Sequence, residues 1–468
     1  MSDERRGIPT DEIQFDGWFL GDPNGRLFWW RDHLYRGLTA WRADFYEGLF
    51  ARGAIDTLVE RGFLVKTRLT DLRLDGYALV VQHDVLSFVA YPFAWCDAMF
   101  KDAASFVLDL ELELAREGMT TQDANPFNIV FDGCRPRFVD FASIVPLVDG
   151  REWLGRNQFM QHFVWPLQMM AAGHGRIARA LLRDPHLSLT ADEYALVRRV
   201  GSPWAMVTGR MASLYERVRT RVMPRAREPY DHLAVVEALR ASVERIDMPP
   251  PPIDAPKTAL ADRDPSPAWS TRQRSIHRAL TTARPLSVLC TEAAEPWPAA
   301  CAAAAGARVV VLDTNAAAVG GLYAVAKAEK LDILPLVMDI ANPSPAMGLC
   351  GRALRPATSR LRCDMVLALD VMLDLIFRLD LNFEQVVATF AQFADRWLVV
   401  DFRAWDDPRV RRRNPEGRVL FPPGHFSWYT EDNLRAVLSR QGFVVVEAME
   451  GDSASNRLLL CERRQPKD

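Results

Sequence analysis

A run of four consecutive prolines, Pro249 to Pro252, is the feature that most limits how this 468-residue chain can fold. Proline fixes φ and has no backbone N–H to donate, so the run favours an extended polyproline conformation over a helix or a central strand. The polar residues that follow cannot bury a core. We therefore predict a first domain over residues 1–245, a Pro-rich linker over 246–270 and a second domain over 271–468.

The second half alternates short apolar runs such as RVVVLD and RWLVVD with helical patterns. This alternation is typical of an α/β domain, in which helices cover both faces of a mostly parallel sheet. The last two apolar runs, FVVVEAME and NRLLLCER, have no helix between them, which predicts an antiparallel pair at the sheet edge. The first half differs, because short β-prone runs precede a long amphipathic helix over 97–118. We expect an α+β domain there, and hence a two-domain protein.

Composition and charge exclude several classes of partner. Lys+Arg 57 against Asp+Glu 60 gives a net charge of -3, so no global positive field favours nucleic acid or an anionic membrane. The polar N-terminus does not resemble a secretory signal, and no run of about 18 uncharged apolar residues is present. The seven cysteines include no C-x-x-C pair, which is typical of reduced thiols and not of a zinc site. We therefore expect a cytoplasmic protein without nucleic-acid or membrane partners.

Residues 120–143, TTQDANPFNIVFDGCRPRFVDFAS, place Asp123, Asn128 and Asp140 around a predicted strand-turn-strand unit. Phosphoryl transfer needs a carboxylate near the accepting hydroxyl, and a second carboxylate and an amide oxygen on Mg²⁺. The stretch resembles the protein-kinase-like fold, especially the aminoglycoside phosphotransferase type. The resemblance implies that Asp123 is the catalytic base, that Asn128 and Asp140 hold the metal, and that ATP and Mg²⁺ bind. Lys66, in GFLVKTRL, is the candidate phosphate-binding lysine.

This first-half motif also departs from the family. Thr121 stands where a histidine normally precedes the catalytic aspartate, Ala142 replaces the glycine of Asp-Phe-Gly, and no G-x-G-x-x-G loop occurs near the N-terminus. One alternative is therefore a pseudokinase that binds a nucleotide or a partner. Another is that Asp123 and Asn128 only cap turns and that Asp140 only ends a strand.

Acidic residues end three strands of the second half. Asp313 ends RVVVLD, where an acid can hold a ribose diol, and Asp339 ends the next strand, in place to accept from an adenine amine. Asp370 ends CDMVLALD, beside the expected reacting group. These features and the stretch SWYTEDNLRAVLSRQGFVVVE resemble class I S-adenosylmethionine (SAM) methyltransferases, which have a Rossmann-like fold. His425, in FPPGHFSWY, is a candidate for lining the acceptor pocket.

The turn after the first strand of the second half departs from that family. A glycine-rich turn normally lets the methionine part of SAM lie against bare backbone, but the segment here is LCTEAAEPWPAA. Cys290 takes the expected Asp position, and Glu292 and Pro296 take expected glycine positions, where side chains fill ligand space and restrict φ. Glu292 thus faces the cofactor site. We expect SAM binding to be weak or lost.

The whole chain resembles a bacterial group that fuses a kinase-like half to a class I methyltransferase and is related to NoeA-type nodulation proteins. The segments AYPFAWCDAMFKDAA, LDILPLVMDIANPSPAMG and DDPRV carry this resemblance. It implies a transferase that acts on a small molecule or a carrier-bound intermediate in bacterial biosynthesis. The alternative is a catalytically inactive pseudoenzyme whose halves serve as ligand-binding or partner-binding scaffolds. Association as a homodimer or with a partner protein is left open.

Overall fold

A computed structural model describes residues 6–16, 22–185, 189–199, 230–248, 265–413 and 424–464, so residues 249–264 of the predicted linker lie outside the described part. The chain divides into two compact units. Unit 1 comprises Met1–Leu86, Tyr91–Val130 and Pro136–Pro249. Unit 2 comprises Pro250–Asp468 together with two short segments of the first half, Ser87–Ala90 and Phe131–Arg135. No helix among the described residues is long and apolar enough to cross a membrane.

The first half combines short strands with helices. Its strands are β1 Arg6–Gly7, β2 Gln14–Phe15, β3 Gly25–Trp30, β4 His33–Leu38, β5 Thr67–Leu69, β6 Leu72–Arg73, β7 Leu79–His83, β8 Met119–Thr121, β9 Ile129–Asp132, β10 Arg135–Phe138 and β11 Ile144–Pro146. Its helices are α1 Ala43–Ala51, α2 Ala54–Glu60, α3 Asp97–Arg116, α4 Arg156–Phe159, α5 Trp165–Met169, α6 Gly175–Leu181, α7 Ala191–Arg199 and α8 His232–Glu244. The π-helical turns Met160–Val164 and Met170–His174 join α4, α5 and α6.

Five of these strands form an antiparallel sheet in the order β2-β3-β4-β7-β5. Alternation of apolar and polar residues places Phe28, Trp30 and Tyr35 on the buried face, where Phe28 and Tyr35 stack with ring centroids 5.5 Å apart. The predicted helix over 97–118 is confirmed as α3, and the chain leaves it through Gly118 at φ 71°.

The segment after α3 also has the predicted strand-turn-strand build. Strand β8 pairs with β11, and β9 pairs with β10 across a turn that contains Gly133 at φ 57°. Asp123 follows β8, Asn128 ends the 3₁₀ turn Pro126–Asn128 before β9, and Asp140 follows β10. The short strands therefore bring distant parts of the sequence into one region of unit 1.

The second half contains seven strands joined mostly by helices. The strands are β12 Ser287–Cys290, β13 Arg308–Asp313, β14 Ile333–Val337, β15 Cys363–Ala368, β16 Ala394–Arg403, β17 Phe443–Glu450 and β18 Asn456–Arg463. The helices are α9 Thr271–Ala283, α10 Trp297–Ala304, α11 Ala316–Ala328, α12 Ala357–Arg360, α13 Val371–Phe377, α14 Phe383–Phe393, α15 Pro408–Arg413 and α16 Glu431–Arg440.

These strands form one sheet in the order β14-β13-β12-β15-β16-β18-β17. The pairs from β14 to β16 are parallel, and β18 runs antiparallel to both β16 and β17. The predicted parallel sheet with an antiparallel edge pair is therefore confirmed, and the order is that of the methyltransferase-like fold. The chain changes direction across the sheet at β12, which lies between β13 and β15. Ligands of open α/β sheets bind at the carboxyl ends of strands beside such a point.

Candidate functional sites

A cavity of about 130 Å³ lies at the carboxyl ends of β12 to β15. Asp313, Asp339 and Asp370 all line it, and Glu292 from the turn after β12 lines it too. A second cavity of about 590 Å³ shares Glu292, Asp370 and Arg413 with the first. The structure thus brings four of the sequence-predicted residues of the second half to one place.

Asp313 and Asp339 already organise the backbone around this cavity. One oxygen of Asp313 accepts from the N–H of Ala293 at 2.9 Å, and the other accepts from the N–H of Asn315 at 2.8 Å. Asp339 accepts from the N–H of Ala341 at 2.9 Å. Because a carboxylate oxygen can accept more than one hydrogen bond, both residues keep acceptor capacity for the hydroxyl or amine groups of a nucleoside.

Residues 291–296 form a turn without helix or strand, and helix α10 begins at Trp297. Neither Glu292 nor Pro296 has a positive φ, so neither position needs the conformational freedom of glycine. Pro296 is not among the residues that line the two cavities. Both residues thus have a backbone that an ordinary residue can adopt, and the Glu292 side chain is the one of the two that lines the cavities.

Glu292 is a partly buried acid among other acids. Its carboxylate and those of Glu295 and Asp370 lie within 4.8 Å of one another. Loss of hydration, with a further contribution from Asp370, Glu295 and Asp313, raises the pKa of Glu292 to about 7, although Arg272 opposes the change. Near neutral pH this group therefore carries only a partial negative charge.

Asp370 is the centre of an ion-pair network. It begins α13 with φ 56°, and its oxygens contact Arg272 at 2.6 Å, Arg409 at 2.9 Å and Arg403 at 3.1 Å. Burial would raise the pKa of Asp370, but these arginines together hold it below its ordinary value. A carboxylate so strongly paired is a poor proton acceptor. The geometry therefore gives the predicted catalytic Asp370 a positioning role at the cavity wall.

The ion-pair network continues through further charged residues that sequence reasoning missed. Arg403 is almost fully buried and contacts Asp452 at 2.8 Å and Asp407 at 3.5 Å, while Arg272 reaches Asp401 at 3.0 Å. The sequence gives little indication of this network, because a single charged residue in an apolar segment is usually expected to be exposed to solvent. Buried ion pairs of this kind are costly to break one partner at a time.

His425 lies apart from this arrangement. Its Nε2 is 3.2 Å from Asp380, and its ring packs edge-on against Phe426 with centroids 4.7 Å apart. It does not line either cavity near Glu292. The structure therefore does not bring His425 together with the other predicted residues.

In unit 1, Asp123, Asn128 and Asp140 do come together. Burial raises the pKa of Asp123, and the N–H of Asn125, which donates to its carboxylate at 2.9 Å, opposes the rise, as do the nearby side chains of Gln158 and Asn128. Burial also raises the pKa of Asp140 to about 6, despite the opposing effect of Arg36, and Asp22 and Asp123 add to the rise. Three carboxylates thus lie close together in a partly buried region.

Arg36 on β4, and not Lys66, is the cation at this group of acids. Lys66 is exposed and forms no ion pair with Asp22, Asp123 or Asp140, all of which are described residues. Arg36 has a side chain only 7% exposed and contacts Asp140 at 3.2 Å and Asp22 at 3.3 Å. The prediction of Lys66 considered only lysines. The sequence offers only a weak signal, one arginine in the strand segment HLYRGL, which does not reveal its acidic partners.

The Asp123 loop is supported from below by a buried acid on α3. Glu111 accepts hydrogen bonds from the hydroxyls of Thr120 and Thr121, and from the N–H of Thr121 at 3.1 Å. His232 lies 3.1 Å from the same carboxylate, and Glu111 has no exposed side-chain surface. These contacts fix β8 and hence the start of the loop.

Comparison with known proteins gives one nearly full-length relative. No protein-family model matches the chain. The chain is 26% identical over 464 residues, 91% of each protein, to the nodulation protein NoeA of Rhizobium meliloti (strain 1021).

Similar solved structures cover the chain only in part. They include the N-methyltransferase NodS of Bradyrhizobium japonicum WM9, at 18% identity over 42% of this chain and 94% of that chain, with a TM-score of 0.29. The bifunctional kinase-methyltransferase WbdD is 14% identical over 41% of this chain and 38% of that chain, also with a TM-score of 0.29. At these TM-scores, the fold assignment rests on the strand order described above. Over nearly its whole length, this chain is a relative of the nodulation protein NoeA.

Proposed function

We propose that this protein is a methyltransferase-type transferase whose unit 2 cavity binds the nucleoside part of SAM. The observation that supports it is that Asp313, which ends β13, and Asp339, which comes shortly after the adjacent parallel strand β14, line one cavity. Ribose hydroxyls and an adenine amine are donors, and carboxylates at strand ends are suited to accept from them. The acceptor is proposed to be a small molecule or carrier-bound intermediate in the bacterial cytoplasm.

The residues fit the nucleoside end of SAM but not its amino-acid end. The cavity beside Asp313 and Asp339 holds about 130 Å³, which is below the roughly 300–1,000 Å³ of most small-molecule sites. Where the methionine carboxylate would lie, Glu292 provides a further carboxylate in place of glycine.

Calorimetric titration of the full chain with SAM and with 5′-methylthioadenosine, which lacks the amino-acid chain, tests the proposal. We expect 5′-methylthioadenosine to bind, and Asp339→Asn to weaken its binding at least tenfold. Asp364→Asn is the matched control, because Asp364 accepts from Leu286 at the opposite end of the same strands and should leave affinity within twofold. If neither SAM nor 5′-methylthioadenosine binds, the alternative of a partner-binding scaffold is favoured.

For unit 1 we propose a protein-kinase-like fold that binds ATP and Mg²⁺. The supporting observation is that Arg36 pairs with Asp22 and Asp140 while Asp123 adds a third carboxylate close to Asp140, which leaves an excess of negative charge beside Asn128. Carboxylate and amide oxygens are the ligands that Mg²⁺ takes in phosphotransferases. Asn128 and Asp140 would hold the metal, and Asp123 would accept the proton of the hydroxyl that attacks the phosphate.

The unit 1 proposal is tested by ATP consumption and by ATP-Mg²⁺ binding, measured separately. Asp123→Asn should abolish consumption and keep binding largely intact, whereas Asp140→Asn should weaken Mg²⁺-dependent binding. Lys66→Ala is the control and should change neither, because Lys66 is exposed and outside this group. Equal turnover in the Asp123 variant would remove the base assignment. Binding without turnover in the unaltered chain would favour the pseudokinase alternative.

A further inference from the structure

The acidic residues around the unit 2 cavity differ in whether other groups of the protein form hydrogen bonds or ion pairs with them. Asp313 and Asp339 accept backbone hydrogen bonds, Asp370 contacts three arginines, and Asp374 contacts Arg413 at 2.8 Å. Glu292 is the exception among the acids that line this cavity, because the described part of the chain gives it no hydrogen bond and no ion pair. It nevertheless lines both adjoining cavities and is less than half exposed.

A partly buried carboxylate without a partner is unfavourable unless a cation or a donor reaches it. We infer that Glu292 selects a ligand whose nucleoside carries a cationic side chain without a carboxylate, such as an amino-alkyl sulfonium, over SAM itself. This inference rests on the proposed nucleoside site and adds the charge of the ligand's side chain. Glu292 would repel the carboxylate of SAM, and it would therefore favour a related nucleoside that lacks this carboxylate.

Within the described residues, cations near Glu292 are already paired with other acids. Of the charges that act most strongly on Glu292, Arg272 alone is positive, and its guanidinium is held by Asp370 and Asp401. Arg409 is bound by Asp370 and Asp452. The other charged residues that line the two cavities are Glu295, Asp313, Asp339, Asp370, Asp374, Arg378, Arg412 and Arg413.

Protonation gives the inference a second readout. The pKa of Glu292, raised to about 7, leaves the group mostly ionised at pH 8 and mostly neutral at pH 6. The amine of the ligand stays protonated across this range. Preference for the cationic ligand should therefore be greater at pH 8 than at pH 6.

The experiment compares decarboxylated SAM, SAM and 5′-methylthioadenosine by calorimetry on the full chain, in the presence of EDTA. At pH 8 we expect decarboxylated SAM to bind at least tenfold more tightly than SAM, and the difference to shrink several-fold at pH 6. Glu292→Gln should bring the two affinities within about threefold at both pH values and leave that of 5′-methylthioadenosine unchanged. Glu295→Gln, an exposed acid nearby, should reduce the preference less.

The outcomes separate this inference from the proposed function. Binding of 5′-methylthioadenosine with no preference between SAM and decarboxylated SAM would overturn the inference and keep the nucleoside site. A preference that survives Glu292→Gln would overturn the role of Glu292. If none of the three ligands binds to the unaltered chain, the proposed function and the inference both fail.

Discussion

At the scale of single residues, Glu292 makes stability depend on pH. Its folded pKa of about 7 lies above the ordinary 4.5, so the folded state holds the proton more tightly, and this contribution to stability is lost as pH rises from about 4.5 to 7. Glu292→Gln removes the dependence, so the variant should gain about 1–2 kcal/mol over the unaltered protein at pH 8 and nothing at pH 4.5. Urea unfolding at several pH values measures this. A difference independent of pH would contradict it.

Arg36 is expected to act mainly through charge. Arg36→Met leaves the partly buried Asp140 and Asp22 without their cation, which should cost about 3–5 kcal/mol of unfolding free energy. Adding Asp140→Asn to Arg36→Met should recover part of that loss, because one uncompensated carboxylate is removed. Urea unfolding of the two single variants and the double variant provides the cycle. Strictly additive losses would show that Arg36 and Asp140 do not interact.

At the scale of elements, α3 supports the loop that carries Asp123. Glu111→Ala removes the acceptor for two hydroxyls and one backbone N–H, and should destabilise the protein by about 3–5 kcal/mol. Thr120→Val removes a single donor and should cost about 1–2 kcal/mol. Urea unfolding measures both, and hydrogen exchange should show lost protection at Met119–Thr121. Equal effects of the two substitutions would argue against this shared acceptor.

The turn after β12 gives a separate prediction for SAM. Glu292→Gly should tighten SAM binding by roughly tenfold, because it removes both a side chain and a negative charge from the cavity. Pro296→Gly should bring no gain, since Pro296 lines neither cavity and has φ -75°. Calorimetry with each single variant decides between them. Tightening by Pro296→Gly alone would show that the proline ring does obstruct the ligand.

Element types were predictable from sequence where one local pattern determined them. The period of the apolar residues sufficed for α3, and alternation of strands and helices sufficed for the parallel sheet. Spacing around a hairpin also placed Asp123, Asn128 and Asp140 together. The role of Arg36 could not be predicted in this way, because a buried arginine on a strand is paired only through residues far along the chain. The same reason explains why the partners of Asp370 were missed.

At the scale of the whole molecule, unit 2 depends on residues from the first half of the chain. Cys134 contacts the carbonyl of Ile333 at 3.2 Å, and Phe131 packs edge-on against Tyr323 at 6.2 Å. Arg360 donates to the carbonyl of Val89 at 2.6 Å. Unit 2 is therefore discontinuous in sequence, because it includes segments that precede the Pro-rich linker.

Phe131→Ala should therefore destabilise unit 2. Loss of this buried ring should cost about 3–5 kcal/mol and reduce hydrogen-exchange protection at Ile333–Val337. Phe138→Ala is the matched control, because Phe138 is equally buried, lies on the next strand of the same hairpin and belongs to unit 1. It should reduce protection within unit 1. If both variants lose the same amount of protection at Ile333–Val337, the assignment of Phe131 to unit 2 and of Phe138 to unit 1 is contradicted.

The discontinuity of unit 2 also sets a delay during synthesis. Cys134 and Ile333 are 199 positions apart, so at about 5–20 residues per second the ribosome needs roughly 10–40 s to make the second after the first. During that interval the contacts of Phe131 with Tyr323 and of Cys134 with Ile333 cannot form, even where the rest of the first half has already folded. The turn between β9 and β10 therefore completes its packing only after the chain has been made as far as Ile333.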